Sequence, residues 1–383
     1  MKKLSRDKLL QALTIGKKRA RRETFRKHTT PSERAKLARR KIRNKSRHGN
    51  VDAPAKLDIY SAKNHAIFVS FLDNYRRTVK NNKKTFISFR NSTRITAAAA
   101  LLLVAETDRL VTAYPNAVIR CSFPPATTEG KYRNYQNIVE SVLNQIGFFK
   151  LIDQECVSHT KHHSVEIWRQ LSGSTADGSL AASLLDSLPE EITKASRQKL
   201  YRGAIEAIAN SVEHAYPSPR NDGIGTMDSR WWMLVGYDAT YLTVIICDLG
   251  VGIPSTLPKK HPESFLSLIR TRFSIFDNSD AELIRASTHV KETRSHLSTS
   301  TKLPNRGKGG ADFRNIAKAF PTATLIVRSN KGAFFLTGEA AKPLKKSSSR
   351  RYVDGTNRTE STLNHSNSIR GTLTEWIVPV QDI

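Results

Sequence analysis

Residues 206–216 read Glu206-Ala-Ile-Ala-Asn210-Ser-Val-Glu-His214-Ala-Tyr216. They close a helix-prone stretch, 189–215, in which Leu200, Ile205, Ile208 and Val212 recur at near-helical spacing. On such a helix Glu206 and Asn210 stand four residues apart, one turn above the other on one face. A carboxylate in that position can orient and deprotonate a water or a hydroxyl. The Asn side-chain oxygen can ligate Mg²⁺ beside phosphates, because Mg²⁺ takes oxygen ligands and few of them from protein. An exposed polar helix face has the same pattern, so the neighbouring sequence must decide between the two.

Downstream, residues 231–237 and 241–247 predict a hairpin that leads into Asp248-Leu-Gly250-Val-Gly252. A carboxylate at a strand end can accept from the exocyclic amine of adenine, and Gly250 and Gly252 leave room for a base to approach the backbone. An ordinary Asp-Gly turn is the alternative. After a long segment, 253–305, comes Arg306-Gly-Lys-Gly-Gly310, followed by a helix-prone run over 311–319. The amides of Gly307, Gly309 and Gly310 and the helix N-terminus can cradle phosphate, with Arg306 and Lys308 supplying charge. The stretch is neither a GxxxxGK[ST] loop nor a GxGxxG fingerprint. Further strands are expected at 323–328, 332–337 and 372–378. The economical architecture is α+β, one layer of helices on one mixed sheet.

Taken in order, on helix, strand end and helix start, these three stretches resemble the nucleotide-binding boxes of the GHKL superfamily, which includes histidine-kinase ATPase domains, gyrase and mismatch-repair ATPases. Gly371-Thr372-Leu373 also matches the Gly-Thr that opens a late strand in such domains. The resemblance covers 185–383 and implies a Bergerat-type sandwich that binds ATP and Mg²⁺. It makes Glu206 the general base, Asn210 the Mg²⁺ ligand and Asp248 the adenine anchor. Gly250 and Gly252 would flank the base, 306–310 would contact phosphate, and 253–305 would form the ATP lid. The first box, ending His214-Ala-Tyr216, is most similar to the anti-sigma-factor serine kinases; His214 is expected beneath the sheet. One departure is the third box, which continues Gly-Ala-Asp where Gly-Leu is usual. The lid cations Arg285, Lys291 and Arg294 are candidates to reach a γ-phosphate.

Upstream, the order strand (85–89), helix (95–110), strand (118–123), helix (132–146) implies a small α/β unit over 55–160, ended by a helix stop at Gly147. By pattern it resembles a STAS domain. The serine that family phosphorylates is replaced by the run Thr96-Ala-Ala-Ala99, which leaves Thr96 as the local hydroxyl. The ATP-binding domain is then placed at 165–383.

The 383-residue chain carries a formal net charge of +28, and residues 1–50 hold 19 Lys plus Arg against three acids. So dense a charge with few apolar residues predicts an arm, disordered or partly helical, that binds nucleic acid through its phosphates. A polar loop is expected over 342–367. No apolar run is long enough to cross a bilayer, and Met-Lys-Lys at the start has no apolar core after it, so a cytoplasmic protein is expected. Cys121, Cys156 and Cys247 suit neither a disulfide framework nor a zinc site. The function expected is an ATP-binding regulatory protein whose nucleotide state governs a protein partner; the alternative is a serine/threonine kinase of the anti-sigma type. A second copy of the chain is a further candidate partner.

Overall fold

The computed structural model describes residues 48–124, 137–155, 162, 165–225, 229–238, 240–275, 277–290, 293, 309–337, 350–353 and 359–383. The basic arm therefore lies outside the described residues up to His48, where strand β1 (His48–Asp52) begins. Residues 50–383 form one compact unit.

Its centre is an eight-stranded sheet. The strands are β6 (Ile167–Gly173), β7 (Trp231–Tyr237), β8 (Tyr241–Asp248), β9 (Thr324–Ser329), β10 (Gly332–Thr337), β11 (Arg350–Val353), β12 (Thr359–Asn364) and β13 (Thr372–Pro379). Their spatial order is β11-β12-β10-β9-β13-β8-β7-β6. Every neighbouring pair is antiparallel, so the expected mixed sheet is corrected. The cause lies in the last strand. β8 and β9 run in the same direction, but β13 enters between them and turns a would-be parallel pair into two antiparallel ones.

Two strands, β11 and β12, fall inside the expected polar loop. Glu360 and Thr362 of β12 are buried although polar. Arg285 Nε donates to Glu360 Oε2 at 2.7 Å, Arg314 donates to Oε1, and the Thr362 hydroxyl donates to Glu282 at 2.9 Å. Composition alone hides such a strand, because its inward residues are satisfied by partners distant in sequence.

On one face of the sheet lie α5 (Gly178–Asp186), α6 (Lys194–His214) and α10 (Gly309–Ala319), which share a core with Trp231, Met233, Val244, Val327 and Trp376. Helix α6 starts five residues after Pro189, where the hydroxyl of Thr193 caps it by accepting from the Ser196 amide at 3.2 Å. The opposite face is not bare. Trp232, Leu234, Ile245 and Cys247 bury against α2 (Ala97–Ala113), whose residues Ala97 to Leu103 and Val104 are all buried. A helix apolar on all sides is a buried helix. It lies between the large sheet and a small one of order β1-β3-β5, with β3 (Lys84–Ser88) parallel to β5 (Val118–Ser122). A second parallel pair joins β2 (Lys56–Leu57) to β4 (Arg94–Ile95). The single helical layer expected from sequence is thus corrected to helices on both faces. The upstream unit shares a core with the large sheet and does not have one of its own.

Helix α1 (Ala62–Asn81) also packs in this layer, with Phe68, Leu72, Tyr75 and Val79 inward at helical spacing. Helices α3 (Ile138–Gln145) and α4 (Phe148–Leu151) meet at Gly147, whose φ of +75° is a left-handed turn that glycine adopts without strain. The segment 253–305 holds α7 (Ile253–Lys260), α8 (Glu263–Arg272) and α9 (Asp280–Thr288), which share a small core of Leu257, Leu266, Ile269 and Leu283. Among the described residues no helix is long and apolar enough to cross a membrane, and Cys121 and Cys247 are buried.

Candidate functional site

The sheet register lines up one row of residues at one end of the sheet. Trp231 pairs with Asp248, Asp248 with Thr372, and Thr372 with Ser329. Above this row a cavity of about 140 Å³ opens, walled by the end of α6, the start of α7, the end of α9 and Phe313 of α10. Asn210, Ser211, His214, Asp248, Gly252 and Thr372 all line it. An enclosed apolar space of about 150 Å³ takes a benzene ring, so this one suits a planar ring.

Asp248 is 5% exposed. Its Oδ1 accepts from the Gly250 amide at 2.9 Å and the Thr372 amide at 3.2 Å. Its Oδ2 meets the Ser211 hydroxyl only at 3.4 Å, and that hydroxyl donates at 2.9 Å to the Ala207 carbonyl. One carboxylate oxygen is thus held firmly and the other weakly. Burial pushes the Asp248 carboxyl up to about 6, against the pull of the Gly250 and Thr372 amides and the Ser211 and Thr372 hydroxyls.

The turn after β8 is fixed at several points. The Val251 amide donates to the Ala215 carbonyl at 2.8 Å, the Asn330 side-chain amide to the Val251 carbonyl at 2.9 Å, and the Ile253 amide to Ser329 Oγ at 2.9 Å. The Leu249 amide donates to the Tyr216 hydroxyl at 3.0 Å, and that hydroxyl donates to the Arg230 carbonyl. Burial, followed by the charge of Asp248, holds the Tyr216 phenol far above its usual value, so it stays protonated.

This geometry revises Gly250. A Cβ there would lie 2.1 Å from the Ala215 carbonyl oxygen, so glycine is required for the turn to close on α6, and Gly250 does not line the cavity. Gly252 does line it, with φ +85° and a Cβ position 2.6 Å from Asn330 Nδ2. Asn210 lines the cavity; Glu206, half-buried, sits one turn earlier on α6 and is not part of the lining. His214 is corrected from its expected place beneath the sheet. It lines the cavity with its side chain 31% exposed and in contact with the Lys260 ammonium. Burial first, and then Lys260, hold the imidazole below its usual range.

Arg306, Gly307 and Lys308 lie outside the described residues. Gly309 and Gly310 fall within the first turn of α10, which therefore begins two residues before the expected start. Of the lid cations, Arg285 is 4% exposed and bonded to Glu360, so it points into the protein; Lys291 and Arg294 lie outside the described residues. Sequence reasoning missed Ser211, Ser329, Asn330 and Lys260. Ser211 had a signal, one residue past Asn210 on α6; Ser329 and Asn330 are brought in only by strand order.

Among the described residues no group of three or more His, Cys, Asp or Glu gathers as a metal cage. What stands at the cavity is one side-chain amide, Asn210, with the Glu206 carboxylate a turn away, a donor set that fits Mg²⁺ only with phosphate and water completing its shell. No protein-family profile, curated protein or solved structure matches the chain.

Proposed function

We propose that the chain is a GHKL-type ATP-binding regulatory protein, with adenine in the cavity over Asp248 and the phosphates directed toward the start of α10. The observation that carries this reading is the Asp248 carboxylate. It is buried, its partners are the Gly250 and Thr372 amides and the Ser211 and Thr372 hydroxyls with no cation among them, and the Ser211 contact to Oδ2 at the cavity wall is long, at 3.4 Å. An amino group on a planar ring is the complement of such an acceptor. Thr372 and Gly250 orient the carboxylate, Tyr216 and Asn330 hold the strand end and turn, and Asn210 presents the oxygen that would face Mg²⁺. ATP would supply a phosphoanhydride, and Glu206 would take the proton of the attacking water or hydroxyl.

In this reading residues 165–383 are the ATP-binding domain, and the STAS-like unit over 55–160 reports its state to a partner in the cytoplasm. Support for that coupling is the core the two share. The basic arm adds nucleic-acid binding.

The deciding experiment is incubation with γ-labelled ATP, followed by separate measurement of released phosphate and labelled protein. Asn210→Ala should remove the Mg²⁺ dependence of ATP binding. Glu206→Ala should keep binding and lose turnover by roughly 10²–10⁴-fold. Label on Thr96 or on a partner would favour the serine/threonine kinase alternative. Failure of the parent protein to bind Mg·ATP would end both readings.

A further inference from the structure

A second cavity lies between α1 and the segment 220–224, with a volume of about 490 Å³. That is within the roughly 300–1,000 Å³ of small-molecule sites. Arg76, Arg77, Lys80 and Arg370 line it, with Asp73 and Asp222 as the only acids of the lining. Directly beneath are Arg109 and Arg220, bonded to Glu106 and Asp222. Six cations thus face three carboxylates. Asp73 bridges Arg76 at 2.5 Å and Arg370 at 3.4 Å. Glu106 is shared by Arg76 at 2.5 Å and Arg220 at 2.8 Å. Among the described residues no carboxylate is left for Arg77, and Lys80 donates to the Gly223 carbonyl, at 2.9 Å.

The three carboxylates are taken up by guanidiniums that are themselves buried, Arg76, Arg109 and Arg220 at 6% exposure or less, so the surplus falls on Arg77, Lys80 and Arg370 around a charge network fixed by the fold. Clustered like charges repel, and an anion at the cavity mouth would relieve that repulsion. Among the described residues the lining holds no aromatic ring and one aliphatic residue, Ile224, so it offers no platform for a base to stack on. A surplus of three charges exceeds what a single carboxylate neutralises, whereas clustered phosphate groups match both the charge and the donor geometry of guanidinium.

We propose that this cavity is a binding site for a small multiply charged phosphate compound, recognised through its phosphates by Arg76, Arg77, Lys80 and Arg370. The site is independent of the nucleotide cavity and does not rest on the ATP reading.

The test is calorimetric titration of sodium tripolyphosphate into the full chain and into its Arg77→Gln/Lys80→Gln variant. Both positions are exposed, so the fold is unaffected, and the basic arm contributes equally to both proteins. The parent should show a binding event that weakens at least tenfold in the variant. It should persist in Asp248→Asn and in an Arg90→Gln/Arg94→Gln control that removes two exposed cations elsewhere on the same unit. Matching isotherms for parent and cavity variant, an equal loss in the control, or no binding by the parent would each overturn the proposal. Loss in Asp248→Asn alone would assign the binding to the nucleotide cavity instead.

Discussion

Asp248 and Glu106 are both buried carboxylates, at 5% and 0% exposure, on opposite sides of the large sheet, and they are held in opposite ways. Around Asp248 there are amides and two hydroxyls, those of Ser211 and Thr372, and burial raises its carboxyl to about 6. Around Glu106, burial works in the same direction, but the guanidiniums of Arg220, Arg76 and Arg109 outweigh it and leave the carboxyl below the usual range. Asp222 and Glu360 follow Glu106: burial raises each, and bonded arginines, with His289 at Glu360, bring each well below the usual range. A carboxylate surrounded by fixed cations has no capacity left for a ligand and acts to join elements. One surrounded by dipoles at a cavity wall keeps capacity for an incoming donor, at a cost to the empty protein.

The largest expected effect breaks the cation-ringed side. Glu106→Gln leaves Arg76, Arg109 and Arg220 buried without their shared anion, and removing one partner of a buried ion pair costs about 3–5 kcal/mol. Urea unfolding at pH 7 measures it. A loss under about 1 kcal/mol would mean that solvent or Asp222 compensates, and the contrast with Asp248 would be wrong.

Asp248→Asn should act in the other direction on stability. The native carboxyl titrates near 6, above the roughly 3.9 of an unfolded Asp. The folded state therefore holds its proton where the unfolded state has lost it, and stability falls as pH rises from about 4 to about 6. Above that range the buried charge costs on the order of 2–3 kcal/mol. Asn removes the charge, its side-chain oxygen can still accept from Gly250 and Thr372, and its amino group can donate to Ser211. The variant should melt higher than the parent at pH 7.5, with the difference vanishing near pH 4. Glu106, Asp222 and Glu360 carry the opposite sign: their stabilisation is present above the unfolded carboxylate range and fades as pH falls below it. A parent and variant with parallel melting profiles across pH would show that Asp248 is not desolvated.

Much of this contrast could be read from residues, but not all of it. The helix bearing Asn210, the hairpin into Asp248 and the helix that runs to Ala319 were legible because each is a local pattern. The second helical layer was also written in the chain: Trp231 to Val235 and Val244 to Cys247 are apolar without alternation, as strands covered on both faces must be. The insertion of β13 between β8 and β9, the buried polar strand β12 and the arginine cluster around Glu106 were not legible. Each depends on pairing between residues about 30 to 140 positions apart, for which a single sequence carries no period. Gly250 illustrates the limit within a motif. Its place was visible, but whether the missing side chain makes room for a ligand or for Ala215 was decided by how α6 ends.

A third outcome sharpens the ligand side. Under the proposed function, Asp248→Asn should bind ATP roughly tenfold to a hundredfold more weakly, since a badly paired buried group costs about 1–3 kcal/mol. ATP affinity of the parent should also fall as pH drops through about 6, because the protonated carboxyl loses its acceptor character. The variant should lack that pH dependence. Calorimetry at pH 5 and pH 7.5 on both proteins reads the two effects separately, and an affinity equal in parent and variant at pH 7.5 would remove Asp248 from the binding site.

The smallest effect lies at the rim of the same cavity. His214 is lowered first by burial and then by the Lys260 ammonium beside its Nε2. Its neighbour Glu213, with Oε2 at 3.7 Å, works upward but is exposed and screened. At neutral pH the imidazole is therefore uncharged and serves as an acceptor for Lys260, so of this pair only the ammonium brings charge to the rim. Lys260→Met keeps the aliphatic stem and removes the charge, and the His214 titration should then move up toward its ordinary range without reaching it, because burial remains. Following the His214 ring proton by NMR from pH 5 to 8 in both proteins measures the shift directly. A His214 titration that does not move would show that burial alone lowers the imidazole, and Lys260 would then have to be placed in solvent and not against the cavity rim.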